Sequence, residues 1–180
     1  MTAAEPRPTA AVLTVSDAGS RGERVDTAGP AAAELLGGAG FEVVATAIVP
    51  DEPEQVAAQL RRWADEDDCA LVVTSGGTGL SPRDRTPEAT ATVLDYRVDG
   101  IPEAMRAASL ATVPTAMLSR ALAGVRGRTL IVNLPGSERG VREQLAVVLP
   151  VLGHAVALLR GDTAHGANPP GATPRPATGA

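Results

Sequence analysis

The segment SGGTGLSPRDRTPEAT, residues 75–90, combines the features of a phosphate-binding loop. Its glycines lack a Cβ, so their backbone N–H groups can come close to an anion, and its hydroxyl side chains add further donors. Thr86 and Pro87 are typical of the N-cap and first position of a helix, whose N-terminal end attracts phosphate. A GGTG run alone can equally be a plain turn, but the longer string is more specific. The predicted ligand contacts are Ser75, Gly76, Gly77, Thr78, Gly79 and Ser81.

Two carboxylates lie in loops that follow predicted strands. Asp51 and Asp84 could place Mg²⁺, which binds proteins through one or two carboxylates and otherwise through water and substrate phosphates. Each has a simpler interpretation. Asp51 could be a helix N-cap with Glu54 completing a capping box, and Asp84 could pair on the surface with Arg83 or Arg85. The two carboxylates together favour a metal site more than either does alone.

The segment LPGS, residues 134–137, predicts a second helix start that can meet an anion. Ser137 is first of all a cap residue, and Gly136 allows close approach of a ligand. Asp26 and Thr27 are interpreted in the same way, as cap residues first and ligand contacts second. The candidate ligand contacts in this segment are Pro135, Gly136 and Ser137.

Short apolar runs alternate with helical patterns between these loops. Strands are expected at residues 10–17, 41–50, 70–76 and 128–135, and helices at residues 27–36, 51–66, 86–95, 102–113 and from about 137 onward. Pro150 is expected to kink or break the last helix. This alternation predicts an α/β fold, a three-layer α/β/α sandwich with a mostly parallel central sheet. Ligands bind such sheets at the carboxyl ends of the strands, where the candidate loops lie.

The two ends of the chain differ in composition from the middle. Residues 1–9 carry prolines and no apolar periodicity, and residues 166–180 are rich in Pro, Gly and Ala, so both segments are expected to be disordered. Residues 10–160 contain no linker and no internal repeat. They are expected to form one domain.

The composition excludes several classes of chemistry. The 180 residues include 16 basic ones, all of them Arg, so Schiff-base enzymes, P-loop proteins and protein kinases are excluded. One cysteine, Cys69, excludes an internal disulfide and a cysteine zinc cluster, and the two histidines argue against a His-rich metal site. No GxSxG motif supports a serine hydrolase, and His154 lies in an apolar helical stretch.

Charge and hydropathy give further expectations about partners and location. The net charge of −5, with Arg scattered along the chain, argues against a nucleic-acid partner. The first ten residues have no apolar core of the kind found in signal peptides. The longest apolar stretch, residues 145–159, is interrupted by Pro150 and His154 and is expected to be too short for a membrane span. We therefore expect a cytoplasmic protein without a membrane partner.

With these motifs in place, the sequence resembles the MogA/MoaB family of molybdenum cofactor biosynthesis proteins. The resemblance covers residues 10–160, and its matching segments are LTVSD, DTAGP, VPDE, TSGGTGLSPRDRTPEAT and LSRALAGVRGRTLIVNLPGS. It implies a molybdopterin-binding-like fold and a homotrimer or a dimer of trimers. It also implies that the terminal phosphate of molybdopterin attacks the α-phosphate of Mg-ATP, with release of pyrophosphate and a possible hand-over of the product to a molybdenum insertase.

Asp51 and Asp84 match the two acidic positions of the family, so the resemblance assigns them chiefly to Mg²⁺ placement in catalysis. Some similar proteins have lost catalysis, typically with a changed acidic position at the second strand end, whereas both carboxylates are present here. Two alternatives are a non-catalytic module that binds molybdopterin or a nucleotide, and a protein similar to nucleotide pyrophosphatases. The latter usually carry an additional domain, so they rank last.

Overall fold

In the computed structural model, which describes residues 6–161, strands and helices alternate along the chain as the sequence predicts. The strands are β1 (Thr9–Val15), β2 (Glu42–Val49), β3 (Leu71–Ser75), β4 (Tyr96–Arg97), β5 (Ala123–Arg126) and β6 (Thr129–Leu134). The helices are α1 (Asp17–Ser20), α2 (Ala28–Gly38), α3 (Pro53–Arg61), α4 (Thr86–Ala91), α5 (Gly100–Leu110) and α6 (Glu138–Leu159). A π-helical turn, Arg62–Glu66, continues α3, and a 3-10 helix, Pro114–Leu118, follows α5.

The six strands form one sheet in the order β2-β1-β3-β6-β5-β4. The first four in this order pair in parallel, whereas β5 and β4 are antiparallel additions at one side. The predicted, mostly parallel sheet is therefore confirmed. Because parallel strands end at the same edge, the loops after β1, β2, β3 and β6 meet there.

Alternate residues of the central strands face two separate cores. On β1, Ala10 and Val12 pack in the core beneath α2, α5 and α6, while Ala11, Leu13 and Val15 pack in the core beneath α3 and the α4 region. A strand that is buried on both faces reads as a continuous apolar run, which is why β1 and β3 were predictable. Helices on both faces give the predicted three layers.

Pro150 does not break the last helix, which runs without interruption from Glu138 to Leu159. Pro150 and Ala146, whose carbonyl a Pro150 N–H would have reached, are both exposed, so water can hydrate the unused carbonyl. Val148 and Leu152, on either side of the proline, are buried in the core and hold both halves of the helix against the sheet.

Over its full 22 residues α6 is long and apolar enough to cross a membrane by length and composition, whereas the expectation concerned only its apolar part, residues 145–159, which is shorter than the about 20 residues that a span needs. Six positions of the helix are buried against the rest of the chain and form the apolar face of an amphipathic helix. These are Val141, Gln144, Leu145, Val148, Leu152 and Val156.

Order at the N-terminal side begins earlier than the sequence suggested. Thr9 already belongs to β1, and the Pro8 carbonyl accepts a hydrogen bond from Glu42 N at 2.9 Å. The Arg7 guanidinium donates to the carbonyls of Gly37, Gly40 and Phe41 at the end of α2, at 2.9, 3.0 and 2.6 Å. The disorder predicted for residues 1–9 therefore does not extend to residues 7–9. Residues 1–5 and the predicted tail, 166–180, lie outside the described residues.

Two boundaries in the middle of the chain also differ from expectation. The helix predicted for residues 86–95 ends at Ala91, and Tyr96 and Arg97 pair with β5 as a short edge strand. The helix predicted for residues 102–113 begins at Gly100 and ends at Leu110. A two-residue strand has no periodicity, so no sequence pattern predicts β4.

Candidate active site

The loops after β3 and β6 are fastened to each other at the carboxyl edge of the sheet. Ser75 Oγ donates to the Pro135 carbonyl at 3.0 Å, and Gly76 N donates to the Leu134 carbonyl at 3.2 Å. A Cβ on Gly136 would lie 3.2 Å from Gly76 Cα. The two segments that the sequence predicted as phosphate-binding are thus in direct contact.

Glycine is required at the first two positions of the β3 loop. Gly76 and Gly77 have φ angles of +108° and +63°, which L side chains rarely adopt. A Cβ on Gly76 would lie 2.3 Å from the Val15 carbonyl oxygen, and one on Gly77 would lie 2.2 Å from Thr86 Oγ1. The loop therefore approaches both β1 and α4 more closely than any other residue would allow.

Four consecutive N–H groups of this loop are available to a ligand. The amides of Gly77, Thr78, Gly79 and Leu80 donate no hydrogen bond to another backbone group within residues 6–161. Thr78 is buried and Leu80 is exposed, and a run of successive backbone N–H groups without a protein partner is an anion-binding arrangement.

Arg120, which sequence reasoning missed, sets the direction of two of these amides. Its N–H donates to the Thr78 carbonyl at 2.9 Å and its Nε donates to the Gly79 carbonyl at 2.8 Å. The rest of the guanidinium donates to the Asp84 carbonyl and pairs with Glu88. In a trans peptide the C=O and the next N–H point in opposite directions. The N–H groups of Gly79 and Leu80 therefore point away from Arg120.

Asp51 is held by a reciprocal pair of hydrogen bonds with Asp17 at the end of β1. Its Oδ2 accepts from Asp17 N at 2.7 Å, and its own N–H donates to Asp17 Oδ1 at 3.0 Å. Glu52, not Asp51, occupies the N-cap position of α3, so the capping interpretation of Asp51 was wrong. Burial, together with the nearby charges of Asp17 and Asp84, raises the pKa of Asp51 above its usual value.

Arg83 braces this pair from the β3 loop. Its Nε and Nη2 donate to the Asp17 carboxylate at 3.1 and 2.9 Å, and its Nη1 lies 2.8 Å from Glu52 Oε1. The hydrogen bonds from Arg83 lower the pKa of Asp17. Three loops, those after β1, β2 and β3, are thereby joined around Asp51.

Asp84 does not make the surface ion pairs that were its simpler interpretation. Arg83 pairs with Asp17 and Glu52, and Arg85 lies 3.7 Å from Glu88. Asp84 Oδ2 instead accepts from Ser81 N at 2.8 Å, within its own loop. Its side chain lines a cavity together with Asp51.

The sequence predicted Thr86 as the N-cap of α4, but Arg85 occupies that position. Thr86 is 1% exposed, and among the described residues its Oγ1 has no hydrogen-bond partner. The position that a Cβ on Gly77 would take lies 2.2 Å from this Oγ1 and 3.3 Å from Asp51 Oδ1. An unpartnered hydroxyl and a carboxylate oxygen therefore converge beside the β3 loop.

The loops enclose two cavities. The first, here called the acidic cavity, has a volume of about 220 Å³. It is lined by Thr14, Val15, Ser16, Gly19, Arg24, Val25, Asp26, Thr27, Ala28, Asp51, Ser75, Gly76, Gly77, Asp84 and Gly136. The second, the large cavity, has a volume of about 530 Å³. It is lined by Thr78, Gly79, Leu80, Ser109, Val113, Thr115, Ala116, Leu118, Ser119, Pro135, Ser137, Arg139, Gly140, Glu143 and Gln144.

The predicted site residues divide between these cavities. Asp51, Asp84 and Gly77 line the acidic cavity, while Thr78 and Ser137 line the large one. The β3 loop and the loop after β6 contribute to both, so they form the wall between them. Of the predicted contacts, Ser81 lines neither cavity.

Helix caps account for other polar residues at this edge. Ser137 Oγ accepts from Gly140 N at 3.1 Å, which confirms that Ser137 caps α6. Asp26 Oδ1 accepts from the N–H groups of Ala28 and Gly29 at 3.0 Å each, and its Oδ2 accepts from Thr14 Oγ1 at 2.6 Å. Both carboxylate oxygens of Asp26 therefore accept from protein donors, whereas Arg24 on the same cavity forms no ion pair within residues 6–161.

The donor set of the acidic cavity fits a hard cation. Within the described part of the chain no three His, Cys, Asp or Glu side chains are grouped closely enough to hold a metal ion by themselves. Mg²⁺ needs no such cage, because one or two carboxylates suffice when water and substrate phosphates complete its shell. Asp51 and Asp84, which both line the cavity, offer oxygen only, which suits this ion.

A buried amide network fixes the strands beneath the site. Asn133 Nδ2 donates to Thr74 Oγ1 and Thr90 Oγ1, both at 2.9 Å, and its Oδ1 accepts from Leu122 N at 3.2 Å. Asn133 is fully buried, so these bonds replace water completely. They join β6 to β3, to α4 and to the segment before β5.

Comparison with known proteins agrees with this picture. The family model described as "Probable molybdopterin binding domain" matches residues 11–154. Molybdopterin adenylyltransferase of Helicobacter pylori is 42% identical over 153 residues, which are 84% of this chain and 87% of that protein. The crystal structure of the molybdopterin biosynthesis enzyme MoaB from Thermus thermophilus is 56% identical, with a TM-score of 0.81, and the match covers 85% of this chain and 96% of that one.

Other curated relatives are much longer than this chain. It spans 22% of gephyrin from Dictyostelium discoideum, with 42% identity, and 25% of the molybdenum cofactor synthesis protein cinnamon from Drosophila melanogaster, with 40% identity. The family model and the full-length relatives nevertheless match most of the domain described here. The chain belongs to the molybdopterin-binding domain family, as its MogA/MoaB-like motifs predicted.

Proposed function

We propose that this chain adenylylates molybdopterin with ATP, producing adenylyl-molybdopterin and pyrophosphate in molybdenum cofactor biosynthesis. One observation carries the proposal. Four open backbone N–H groups, two carboxylates and an unpartnered hydroxyl meet at one edge of the sheet, in a chain 42% identical to a molybdopterin adenylyltransferase.

The proposed step exchanges one phosphoanhydride for another. An oxygen of the terminal phosphate of molybdopterin forms a bond to the α-phosphorus of ATP, and the bond from that phosphorus to the bridging oxygen of the β-phosphate breaks. Pyrophosphate leaves with the electron pair. A phosphate monoester is already largely dianionic near pH 7, so the site needs to position and neutralise charge rather than remove a proton.

The β3 loop supplies the positioning in this proposal. Its amides, from Gly77 to Leu80, hold phosphate oxygens without adding side-chain bulk, and Arg120 keeps those of Gly79 and Leu80 directed away from itself. The N-terminal end of α6 beside it adds its dipole. Ser75 and Ser81 support the loops through hydrogen bonds within the protein.

Asp51 and Asp84, which line the acidic cavity, would hold Mg²⁺ there. When bound, this ion neutralises phosphate charge and helps to orient the nucleotide. The Asp17–Arg83 brace keeps Asp51 in place at the edge of the cavity. Arg24, which lines the same cavity and forms no ion pair among the described residues, would supply a protein cation to the phosphates.

The remaining parts of the proposal concern assembly and location. We propose a cytoplasmic homotrimer or dimer of trimers that releases its product to a molybdenum insertase. The relatives named as molybdopterin adenylyltransferases support the substrates, while size-exclusion chromatography with light scattering tests the assembly.

The decisive experiment mixes the protein with Mg-ATP and molybdopterin under anaerobic conditions and follows pyrophosphate and adenylyl-molybdopterin. Both products should appear only when molybdopterin is present. Pyrophosphate without molybdopterin would indicate a nucleotide pyrophosphatase instead. Binding without product, in protein shown to be folded, would indicate a binding module.

A matched pair of variants tests the carboxylate role. Asp84→Asn should reduce turnover at least about 100-fold, the scale of a lost electrostatic contact in a transition state, with little change in stability. Asp95→Asn is the control, because Asp95 also accepts a backbone N–H, from Gly127 at 2.7 Å, and lines neither cavity. Equal turnover in the two variants would contradict the assignment of Asp84.

A further inference from the structure

The segment between α1 and α2, residues 21–25, lies against the acidic cavity with few contacts of its own. All five residues are exposed, and two of them, Arg24 and Val25, line the cavity. Within residues 6–161 the segment forms hydrogen bonds only to α1 or between its own side chains. A Cβ on Gly22 would have no atom within 4 Å. The segment therefore has open space around it and is held through its two ends.

Both ends are firmly fixed to the site. On the α1 side, Asp17 N donates to Asp51 Oδ2 at 2.7 Å. On the α2 side, Asp26 Oδ2 accepts from Thr14 Oγ1 at 2.6 Å. Local opening is easiest where a segment has few tertiary contacts and exposed backbone, and loops of this kind close over ligands in many enzymes. A loosely held segment between two fixed ends, beside a ligand cavity, has the structure of a lid.

Arg24 gives this segment a reason to move toward a ligand. It is the only cationic side chain among the residues that line the acidic cavity, which include Asp26, Asp51 and Asp84. It is exposed and forms neither an ion pair nor a side-chain hydrogen bond within the described part of the chain. A guanidinium binds phosphate through two parallel hydrogen bonds. Nucleotide phosphates in this cavity would supply the anionic partner that Arg24 lacks.

Val25 gives a second reason. At 82% exposure it has the highest exposure of the large apolar side chains in residues 6–161, and it lines the same cavity. Removing apolar surface from water is favourable, so a movement that covers the Val25 side chain is stabilised. Closure over a bound ligand would thus pair the Arg24 charge and bury the adjacent aliphatic group together.

We propose that residues 21–25 form a lid, which closes over the acidic cavity when Mg-ATP binds and brings the Arg24 guanidinium onto the nucleotide phosphates. The inference rests on the proposed adenylylation, which places these phosphates in the cavity. Closure keeps water away from the α-phosphorus, so ATP is not hydrolysed in place of the transfer. The large cavity, on the other side of the β3 loop, is not lined by these residues and stays open.

A single lysine in the lid makes its closure measurable. The chain contains no lysine, so endoproteinase Lys-C does not cut the wild type. Arg21→Lys keeps the charge that pairs with Glu23 and creates one cleavage site inside the lid. Its cleavage, followed by mass spectrometry, should slow about tenfold when Mg-ATP is present at about ten times its dissociation constant, because the closed form is not cut.

Arg97→Lys is the matched control for this measurement. The Arg97 side chain is 54% exposed and that of Arg21 is 58% exposed, and each arginine pairs with an acidic residue two positions later. Arg97 lines neither cavity, so Mg-ATP should leave cleavage after Lys at this position unchanged. Equal slowing at both positions would show general stabilisation of the fold and would overturn the lid.

Arg24→Gln tests what holds the lid closed. Calorimetry should show Mg-ATP binding weakened roughly 10- to 100-fold, the scale of a hydrogen bond to a charged group. At Mg-ATP concentrations that saturate this variant, cleavage of the added Arg21→Lys site should stay as fast as without nucleotide. Arg61→Gln is the control, because Arg61 is also exposed, forms no ion pair within residues 6–161 and lines neither the acidic nor the large cavity. Wild-type affinity and protection in Arg24→Gln would contradict the contact between Arg24 and the phosphates.

The lid and the adenylylation can fail separately. Unchanged cleavage of the Arg21→Lys protein, with Mg-ATP binding shown by calorimetry and normal formation of adenylyl-molybdopterin, would overturn the lid alone. Protection by Mg-ATP in a protein that forms no product with molybdopterin would support the lid and refute adenylylation.

Discussion

Replacing Gly77 with alanine tests the close contact between the β3 loop and α4. Two costs add at this position. A left-handed φ of +63° costs an L residue about 1–2 kcal/mol, and a Cβ at 2.2 Å from the buried Thr86 Oγ1 forces a shift of the kind that costs about 1–3 kcal/mol. The variant should therefore lose about 2–5 kcal/mol of unfolding free energy.

Gly127→Ala separates the two costs. Gly127 also has a positive φ, +55°, but nothing lies within 4 Å of its Cβ position. This control should lose only the backbone part, about 1–2 kcal/mol, or roughly 2–8 °C in melting temperature at about 2–4 °C per kcal/mol. Urea unfolding at pH 7 measures both variants.

A second substitution tests the cause directly. Thr86→Ala removes the hydroxyl that collides, so Gly77→Ala in that background should regain most of the extra loss. The Thr86 Cβ, at 3.2 Å from the added methyl, keeps a small part of it. If Gly77→Ala alone is no less stable than Gly127→Ala, the close contact is refuted. If it is less stable but adenylylates normally, the loop does not hold the reacting phosphates.

Three further predictions concern single side chains. Arg120→Lys should raise the KM for ATP roughly tenfold, because a lysine cannot bridge the carbonyls that the Arg120 guanidinium joins. Arg126→Lys is the control and should leave this KM unchanged, since the Arg126 guanidinium also joins a carboxylate and a carbonyl. The pKa of Asp51 is raised in the folded state. The free energy of unfolding therefore falls as the pH rises from the usual pKa of an aspartate to the raised pKa of Asp51. Asp51→Asn should therefore melt above the wild type near pH 7, and the difference should shrink in melting scans below about pH 4; a constant difference would contradict the burial effect. Asn133→Leu should lose about 2–4 kcal/mol in urea unfolding, since it leaves Leu122 N and two threonine hydroxyls without their partner; a loss below about 1 kcal/mol would show that the network does not stabilise the fold.

The parts of the fold that the sequence predicted correctly are those with a strong local pattern. β1 and β3 are continuous apolar runs, and the rule that parallel strands end at one edge is enough to bring Asp51 and the glycine loop together. The capping predictions were less successful. Ser137 is a cap, whereas Asp51 has the residue type of a cap but accepts a long-range hydrogen bond from Asp17 N instead. Thr86 follows the N-cap Arg85, and its hydroxyl has no partner among the described residues.

What escaped prediction depends on backbone partners far away in the chain. Arg120 donates to the carbonyls of Gly79 and Asp84, 41 and 36 positions earlier, and any residue type at those positions would present the same carbonyl. A sequence therefore contains no matching pair to find.

The use of arginine at positions such as Arg7 and Arg120 has a practical consequence for labelling the protein. Both hold loops by donating to several carbonyls at once, a task for which the compact ammonium group of lysine is poorly shaped. The chain contains 16 arginines and no lysine. Amine-reactive dyes and crosslinkers therefore have no side-chain amine to modify. A lysine introduced at a chosen surface position would be the single side-chain amine to which a fluorophore can be attached.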